Sequence, residues 1–536
     1  MPGPGLVHER PVPRREAGAT PLIRVARRLA MGLTIKEILM HDHDSGTAPG
    51  GVRSKRRGAD SAPRLRLLIP GRKETRLALM ATSSVLLLAA CATPPDLPPG
   101  PERRPAGPEA GVSFTAPPLD DEAAGTAFPV LPAPAGKLTL RTALAQALAG
   151  NPDLAAFSYE SRAAEARTIQ AGVPPAPALG LDSQDFGGKG ERRGFESAQT
   201  SLSLSQTVEL GEKRAKRVRA ARLDESLAAW DYEAKRLDTL LETTRAFVGL
   251  LASQRRLSLA RESLALDRKT ADIVRERVRA GRVSPLEEKR AGVAVATATL
   301  FLERSRRDLQ SARQRLAALW GASAAQFDEA IGDLDALVFP PSLDRLMELA
   351  VENPDLARWT TEIESRTARL SVERSKEIPD PTFSAGVRRY GNDGSTAFLA
   401  GVSLPIPVAG INQGNVLEAQ QRLAKGYAER RAAEARVAVE VRQGFERLAS
   451  AYDEVMALRR DILPAATAAF DGAAEGYRQG KFPLIDVLDA ERSLSDANGR
   501  LIDAEAGFQV ARAELERLIG QPLPTPRQPA PQRPGE

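Results

Sequence analysis

Cysteine and histidine are nearly absent from this chain. Its single cysteine is Cys91, and its three histidines, His8, His41 and His43, all precede it. A lone cysteine has no partner for an intramolecular disulfide. If the chain is processed before Cys91, no histidine is left for catalysis, and the sequence contains no Gly-x-Ser-x-Gly nucleophile motif. These absences argue against a hydrolase, and we expect a protein that is not an enzyme and has no resident metal or cofactor.

The apolar run closest to Cys91 is too short for a membrane helix. It extends from Leu77 to Ala90, about 14 residues, whereas roughly 20 are needed to span a bilayer. A positive stretch, Arg72 to Arg76, precedes it, and it ends in Leu88-Ala89-Ala90-Cys91. This layout predicts a lipoprotein signal peptide over residues 71–90 and lipidation of Cys91. The alternative is that Cys91 is an ordinary member of an apolar tail.

The excess of positive charge belongs to the segment that processing would remove. The whole chain carries a formal charge of +6, but its first 90 residues hold 16 of the 75 Lys and Arg and 7 of the 69 Asp and Glu. The remainder has 59 basic and 62 acidic residues, a net charge of −3. The basic isoelectric point is therefore no indication of nucleic-acid binding. Residues 1–70 show no apolar periodicity, and we interpret them as a non-native or disordered extension.

Prolines dominate the segment that follows Cys91. Residues 92–135 contain 12 of them among alanine, glycine and charged residues. Such a composition favours an extended, semi-rigid chain over a packed core, so residues 91–136 are predicted to be a tether.

The rest of the sequence is a duplication. Asn-Pro-Asp-Leu begins at Asn151 and again at Asn353, and each half later breaks at a glycine, Gly281 or Gly480, 199 residues apart. That spacing far exceeds the roughly 20–50 residues of solenoid repeats. We assign one repeat to residues 137–321 and a second to 341–520, followed by a disordered tail at 521–536.

Each repeat contains two alternating segments, which predict strands with one apolar and one polar face. They centre on Leu179 and Leu204 in the first repeat and on Ala385 and Ala400 in the second. Aromatic residues near the strand ends suit the girdle of a membrane barrel: Phe186, Phe195, Tyr390 and Phe398. Four strands leave two bare edges, so in a membrane the chain must oligomerise to close a barrel. The alternative is a small soluble sheet packed on helices.

Long helices follow the strands. No proline occurs from Gly211 to Ala280, and apolar residues from Leu223 to Leu251 recur in steps of four and three, which indicates a coiled-coil seam. The second repeat has the same pattern from Gly414 to Gly480, with a local kink expected only there, at Pro464. Ser284-Pro285-Leu286-Glu287 predicts a capping box at the start of a return helix. A short amphipathic helix is expected at Leu138–Leu148.

In order and spacing, these features resemble the outer-membrane factors of the TolC type, and most of all the lipoproteins of CzcC-like cobalt, zinc and cadmium efflux systems. The resemblance covers Lys137 to Gly520. It rests on the duplication and on these motifs: Leu204-Ser205-Gln206, Glu209-Leu210-Gly211-Glu212-Lys213-Arg214, Asn412-Gln413-Gly414-Asn415, and the segment from Gly480 to Ala490.

The resemblance implies a mainly α fold with a small β part. Three chains would close a twelve-stranded outer-membrane barrel, continued by a periplasmic tunnel of antiparallel coiled-coil helices. Such a homotrimer is a passive conduit that works with a periplasmic adaptor and an inner-membrane RND pump. We expect outer-membrane lipid as a further partner, and no nucleic acid.

The resemblance also implies functional residues. Asp486 and Asp489 match the entrance aspartates of the family, and Glu287 lies at the equivalent step past Gly281. An arginine that helps to clamp the entrance in some members falls at Phe482 here. The helix tips would contact the adaptor, and the candidates are Gly281, Arg282, Val283, Ser284, Gly480, Lys481, Phe482 and Pro483.

Other interpretations remain. The acidic residues could form an ordinary solvated helix face, and the tip residues could serve only to make the turns. The same channel could export drugs instead of metal ions. A lipid-anchored periplasmic coiled-coil scaffold would share the seam and the signal peptide, but it would not need two alternating hairpins at matching positions.

Overall fold

The computed structural model describes residues 112–118, 134–406, 408 and 410–523. Cys91, the signal peptide and most of the tether lie outside them. The first repeat consists of a short strand, two short helices, a strand hairpin, a long helix and a separate return helix. In chain order its elements are β1 (Gly136–Thr139), α1 (Leu140–Gly150), α2 (Pro152–Ala171), β2 (Ala178–Gln184), β3 (Gln199–Thr207), α3 (Lys213–Arg279) and α4 (Pro285–Ala318).

The second repeat has the same order after a connecting strand. Its elements are β4 (Phe327–Ile331), α5 (Leu343–Ala350), α6 (Pro354–Ser375), β5 (Thr382–Tyr390), β6 (Thr396–Ser403), α7 (Gln413–Ala457), α8 (Leu463–Arg478) and α9 (Leu484–Ile519). The succession of helices and strands is thus the same in both halves of the chain.

The connection between the repeats contributes a strand that the sequence analysis missed. Strand β4 pairs in parallel with β1, and Leu138 lies opposite Ala330. The prediction that Leu138 begins a helix was therefore wrong: helix α1 starts at Leu140, capped by the Thr139 hydroxyl, which accepts from the Thr142 N–H at 3.2 Å. Both paired residues are buried in a core that includes Phe247 and Phe327.

The four-stranded sheet has the predicted two faces. Its strand order is β2-β3-β5-β6, and all three pairings are antiparallel. One row of paired residues crosses the sheet as Leu181, Leu202, Val387 and Phe398, and all four are exposed, Phe398 at 90%. The outer strands β2 and β6 each have one edge without a partner strand in the described chain.

The opposite face of the sheet is polar and lined with small residues. Arg388 crosses it to donate to the Ser201 hydroxyl at 2.8 Å. A Cβ at Gly386 would lie 2.4 Å from the carbonyl oxygen of Leu202, so no larger residue fits there without moving the neighbouring strand. Of the predicted girdle aromatics, Phe186 and Phe195 stack with ring centroids 5.7 Å apart in the β2–β3 loop.

Helix α3 is unbroken over 67 residues, about 100 Å at ~1.5 Å per residue. Its predicted seam from Leu223 to Leu251 is buried or half-buried throughout. In the second repeat, the residues Leu458–Ile462 form a π-helical turn between α7 and α8. The predicted interruption at Pro464 is thus confirmed, because proline has no N–H for the carbonyl of residue i−4. No helix in the described part of the chain is long and apolar enough to cross a membrane.

The repeated Asn-Pro-Asp-Leu motif fastens the start of each repeat to its end. The Asn151 side chain accepts from the Leu154 N–H at 2.8 Å, which caps α2, and its amide donates to the Leu319 carbonyl at 2.8 Å. Asn353 likewise caps α6 and donates to the Leu518 carbonyl at 2.5 Å. An asparagine is needed because one side chain must both accept and donate.

Part of the proline-rich tether packs against the helices. Residues 112–118 have no regular secondary structure, yet Ala116 is buried. Ala116 donates its N–H to the Ser158 hydroxyl at 2.7 Å, and Phe114 donates its N–H to the Leu148 carbonyl at 2.9 Å. This segment, which we call the strap, follows the predicted tether composition but is fixed by backbone hydrogen bonds.

Candidate channel entrance at the helix tips

The two helix reversals have the same geometry. At the α3–α4 turn Gly281 has φ +67°, and at the α8–α9 turn Gly480 has φ +75°, a region that L-residues with side chains rarely adopt. In each turn the next residue donates its N–H back into the preceding helix: Arg282 to the Arg277 carbonyl at 2.9 Å, and Lys481 to the Gly476 carbonyl at 2.8 Å. These are glycine C-caps, which end a helix sharply.

The predicted capping box at Ser284 forms only in part. The Ser284 hydroxyl accepts from the Leu286 N–H at 3.2 Å and caps α4 as expected. The Glu287 side chain, however, accepts a hydrogen bond from the Tyr477 hydroxyl at 3.1 Å. Tyr477 belongs to the other repeat, so Glu287 serves a contact between the two tips.

In a second contact between the tips, the hydrogen-bond donor belongs to the first repeat. Arg277 of α3 donates to the Tyr477 carbonyl at 2.8 Å, and its guanidinium lies 4.5 Å from the centre of the Tyr477 ring. Tyr477 is only 5% exposed, and burial, reinforced by Glu287, raises the pKa of its hydroxyl. The hydroxyl therefore remains a donor to the carboxylate. We call Arg277, Tyr477 and Glu287 the tip link.

Apolar packing supports the tip link. Ala271, Val274, Ala291, Tyr477, Leu484, Val487 and Leu488 form one buried cluster. The ring of Phe482 lies over Gly476, where an added Cβ would come within 2.0 Å of it. The corresponding positions of the first repeat are Val283 and Arg277, so the arginine of the tip link lies where the second repeat needs glycine.

The predicted entrance carboxylates are in different surroundings. Asp486 and Asp489 are exposed on the first turns of α9, and Asp489 lies 3.9 Å from the guanidinium of Arg492. Glu287 is half-buried and tied to Tyr477. The structure therefore brings Glu287 to the other repeat, while the two aspartates remain on the surface. No cluster of three or more potential metal ligands occurs among the described residues.

The candidate adaptor residues are mostly accessible. Seven of them are exposed, and Val283 is half-buried. Phe482 is 49% exposed although its ring covers Gly476. The sequence analysis missed Arg277 and Tyr477 because no local motif shows that side chains 200 residues apart meet. Their only signal was that each lies close to one of the two matching glycines.

At the tips, the helices lie side by side in the order α4, α3, α9, α8. Helix α3 packs against both α4 and α9, and α9 packs against both α3 and α8. Helix α4 carries an exposed row at seven-residue spacing, Leu286, Val293 and Leu300, at 57%, 63% and 71% exposure. The sheet has the corresponding order, since β2 of the first repeat and β6 of the second are its outer strands.

Comparison with known proteins agrees with this architecture. The outer membrane efflux protein family matches residues 143–322 and 346–521. The cobalt-zinc-cadmium resistance protein CzcC of Cupriavidus metallidurans is 33% identical over 394 residues, which cover 73% of this chain and 93% of that protein. The outer membrane protein TolC of Escherichia coli is 23% identical over 405 residues, 70% of this chain and 80% of TolC.

Solved structures show the same fold. CusC superposes with a TM-score of 0.62 at 19% identity, over 73% of this chain and 96% of CusC. VceC of Vibrio cholerae superposes with a TM-score of 0.60 at 18% identity, over 72% of this chain and 97% of VceC. Both repeats are matched by the family, and the resemblance inferred from the motifs is confirmed. The chain belongs to the outer membrane efflux protein family.

Proposed function

We propose that three copies of this chain form the passive outer-membrane duct of a tripartite efflux system that exports divalent heavy-metal cations. The observation that carries the proposal is the four-stranded sheet with two unpaired edges and an exposed apolar face. In a bilayer, unpaired backbone groups at those edges cost several kcal/mol each, so only a closed barrel is stable. Three sheets joined edge to edge give twelve strands, with the polar face turned inward.

The order of the helices agrees with the same contacts between adjacent copies in the proposed trimer. If β6 of one copy pairs with β2 of the next, the helix at the corresponding edge, α8, meets α4 of the next copy. Burial of the row Leu286, Val293 and Leu300 would stabilise this contact. At about 25 cal/mol per Å² of apolar surface, burial of an exposed Leu or Val contributes about 1.5–3 kcal/mol.

Charge would set the preference of the entrance. Threefold symmetry turns an inward carboxylate into a ring of three, which attracts cations without tight coordination. We assign this role to Asp486 and Asp489. We assign to Glu287 the tip link that holds the two hairpins together. The exposed tip residues would receive the periplasmic adaptor, which connects the duct to an inner-membrane RND pump, and lipidated Cys91 would anchor the chain to the outer membrane.

The names of two relatives favour metal ions as the cargo, and the residue types of the chain are compatible with it. The relative CzcC is named for resistance to cobalt, zinc and cadmium, and a second relative, NccC of Alcaligenes xylosoxydans, for nickel, cobalt and cadmium. The chain beyond Cys91 has no histidine or further cysteine. Carboxylates alone bind such ions weakly enough to let them pass. A drug or small-molecule cargo is the second candidate, because a relative in Pseudomonas aeruginosa, OpmQ, is a pyoverdine exporter at 26% identity.

Cross-linking between the sheet edges tests the assembly. Leu181→Cys with Phe398→Cys places thiols on β2 and β6, about 14 Å apart within one chain at ~4.8 Å per strand. Strand tilt in a closed barrel offsets the rows of neighbouring copies, so cysteines at Leu179, Leu181 or Ser183 of β2 are each combined with cysteines at Phe398, Ala400 or Val402 of β6. With a bis-maleimide shorter than about 14 Å, at least one combination should give covalent trimers on a denaturing gel. The matched control, Leu202→Cys with Val387→Cys, pairs neighbouring strands of one chain and should remain monomeric. Monomers from every combination, with the control efficiently cross-linked, would refute the barrel and favour a periplasmic scaffold.

Growth tests identify the cargo. A deletion strain complemented by the gene from about residue 70 onward would be compared on Zn²⁺, Co²⁺, Cd²⁺ and Ni²⁺ and on drugs and detergents. Selective metal sensitivity that complementation reverses supports metal export. Sensitivity to drugs alone would keep the duct and replace its cargo.

Bilayer recordings examine the entrance. Asp486→Asn with Asp489→Asn should lower the cation preference of the trimer without preventing assembly, and Asp471→Asn, an exposed carboxylate on α8, is the control. An unchanged preference would remove the carboxylate ring from the proposal.

A further inference from the structure

A pair of carboxyl groups lies behind the tip, where the function described so far has no use for it. Helices α3, α4 and α9 border a groove of about 600 Å³. Asp267 of α3 and Glu491 of α9 line it, together with the hydroxyls of Ser263 and Ser495, 3.4 Å apart. Glu491 lies one turn beyond Leu488, which belongs to the apolar cluster of the tip.

Glu491 is an unusual residue for this protein because it is buried without a hydrogen-bond donor. Its side chain belongs to a residue only 7% exposed, and neither carboxylate oxygen has a donor in the described part of the chain. The neighbouring charge that affects Glu491 most is that of another carboxylate, Asp267. Two ionised carboxylates can only accept hydrogen bonds, so as anions they would repel each other in a poorly solvated place.

A single proton resolves this conflict. When Glu491 is neutral, its O–H can donate to the Asp267 carboxylate, and the pair becomes a hydrogen bond with one negative charge. Burial, followed by the charge of Asp267, raises the pKa of Glu491 to about 7. Burial also raises the pKa of Asp267.

The charged groups around the pair are exposed or paired elsewhere, so they do not neutralise the two carboxylates in place of the proton. On α9, Arg492 favours the ionised forms of both carboxyls but is itself exposed and faces Asp489 at 3.9 Å. Arg256 of α3 pairs with Asp503, and Asp496 and Arg500 of α9 are exposed. Helix α4 lines the groove with Ala294, Thr297, Ala298 and Phe301, and its Glu288 pairs with Arg275 at 3.6 Å. On α8, Asp471, Glu475 and Arg478 are exposed, and the Tyr477 hydroxyl donates to Glu287.

A metal ion fits the pair less well than a proton does. Hard divalent cations need about six oxygen ligands, whereas no group of three or more acidic, histidine or cysteine ligands occurs in the described chain. The Glu491 oxygens are also closed to solvent, so a hydrated ion has no access to them.

We propose that Asp267 and Glu491 share one proton and form a pH-dependent clasp between α3 and α9 directly behind the entrance. The proposal rests on the proposed function only in its consequence for conduction. The clasp itself is a property of the helix packing.

The direction of the effect follows from proton linkage. The packed state holds a proton at Glu491 that an ordinary glutamate, with a pKa near 4.5, releases. Between about pH 4.5 and about pH 7 the packed state therefore binds more protons, and its stability falls as the pH rises through this window. Below the window the clasp is closed. Above it, both carboxyls are ionised and α9 is pushed away from α3, which loosens the tip cluster through Leu488.

Infrared difference spectroscopy tests the shared proton directly. In the purified full chain, the band of a protonated carboxylic acid should disappear as the pH is raised from about 5 to about 8, with a midpoint near 7. Glu491→Gln should abolish this component, and Asp496→Asn, an exposed carboxylate on the same groove, should leave it unchanged. A component that persists in Glu491→Gln would overturn the proposal, as would a transition that appears only when Mg²⁺ or Zn²⁺ is added.

Conduction and exchange tests connect the clasp to the entrance. Wild-type channels should open at least several-fold more often at about pH 8 than at about pH 5. Over residues 484–495, the protection of amides relative to their intrinsic, base-catalysed exchange rate should fall in parallel. Glu491→Gln keeps a neutral donor toward Asp267 and should show the low-pH behaviour throughout. If the chain forms no channel, the exchange result still decides whether the clasp exists. An equal pH response of exchange in wild type and Glu491→Gln would refute it.

Discussion

Substitution of Gly476 by alanine should loosen the α8–α9 tip, although alanine is the better helix former. An added Cβ at this position would meet the Phe482 ring at 2.0 Å, whereas carbon atoms normally pack at about 3.5–4.0 Å. Alanine gains about 1 kcal/mol in helix propensity. Overpacking of this kind typically costs about 1–3 kcal/mol, and here it displaces a ring that folds back over the turn.

The net effect is therefore a local loss of up to about 2 kcal/mol, or up to about a 30-fold increase in opening of the turn. Hydrogen–deuterium exchange of residues 477–484 in assembled protein measures it directly. We expect faster exchange in Gly476→Ala, with little change in the sheet, because the clash is confined to the tip.

Two further variants make the test specific. Gly472→Ala lies one turn earlier on the same helix, has open space around the added Cβ and should slow exchange slightly. Gly476→Ala combined with Phe482→Ala removes the clash and should restore exchange toward that of Phe482→Ala alone. If Gly476→Ala behaves like Gly472→Ala, the ring does not occupy the position on which the argument depends.

Three other predictions concern contacts between distant parts of the chain. Tyr477→Phe leaves the half-buried Glu287 without its donor and should weaken the tip link by about 1–3 kcal/mol, seen as more frequent channel opening; an unchanged open probability would count against the link. Asn353→Asp keeps the cap acceptor but cannot donate to the Leu518 carbonyl, so the thermal midpoint should fall, and more than it does for Asn392→Asp in the β5–β6 turn. Arg517→Met removes hydrogen bonds of 2.6 and 2.8 Å that join α9 to carboxylates on α3 and α6, and a loss of about 1–3 kcal/mol is expected; stability equal to wild type would show that solvent already screens them.

Features with a local cause could be predicted from the sequence. Alternation around Leu179 and Ala385 is a property of a few consecutive residues, and it correctly indicated both hairpins and their apolar face. The absence of proline from Gly211 to Ala280 permitted an unbroken helix, and Pro464 required an interruption. In each case the backbone geometry is decided by neighbours within one or two turns.

Features that depend on distant parts of the chain were missed. Pairing of β1 with β4 joins residues nearly 200 positions apart, and β1 is only four residues long, so no alternation could reveal it. The side chain of Glu287 fits a capping box by sequence, yet the proximity of Tyr477 gives it a different partner. Burial of Glu491 was also hidden, because a carboxylate on an acidic helix face normally indicates exposure to solvent.

The strap shortens the segment between Cys91, the predicted lipidation site, and the first residue that is hydrogen-bonded to the helices. Counted to the first helical repeat, this segment would have more than forty residues, but the hydrogen bonds of the strap begin at Phe114. Only 22 residues lie between Cys91 and Phe114, and a chain of that length spans at most about 75 Å at ~3.4 Å per residue. The Phe114 carbonyl also accepts a hydrogen bond from the Tyr232 hydroxyl at 2.5 Å. Tyr232 lies 19 residues after the start of α3, so the strap contacts this helix about 30 Å from its end at the sheet, at ~1.5 Å per residue. Under the proposed function, a segment of this length spans the distance from Phe114 back to the sheet, so a lipid on Cys91 would reach the membrane in which the sheet lies.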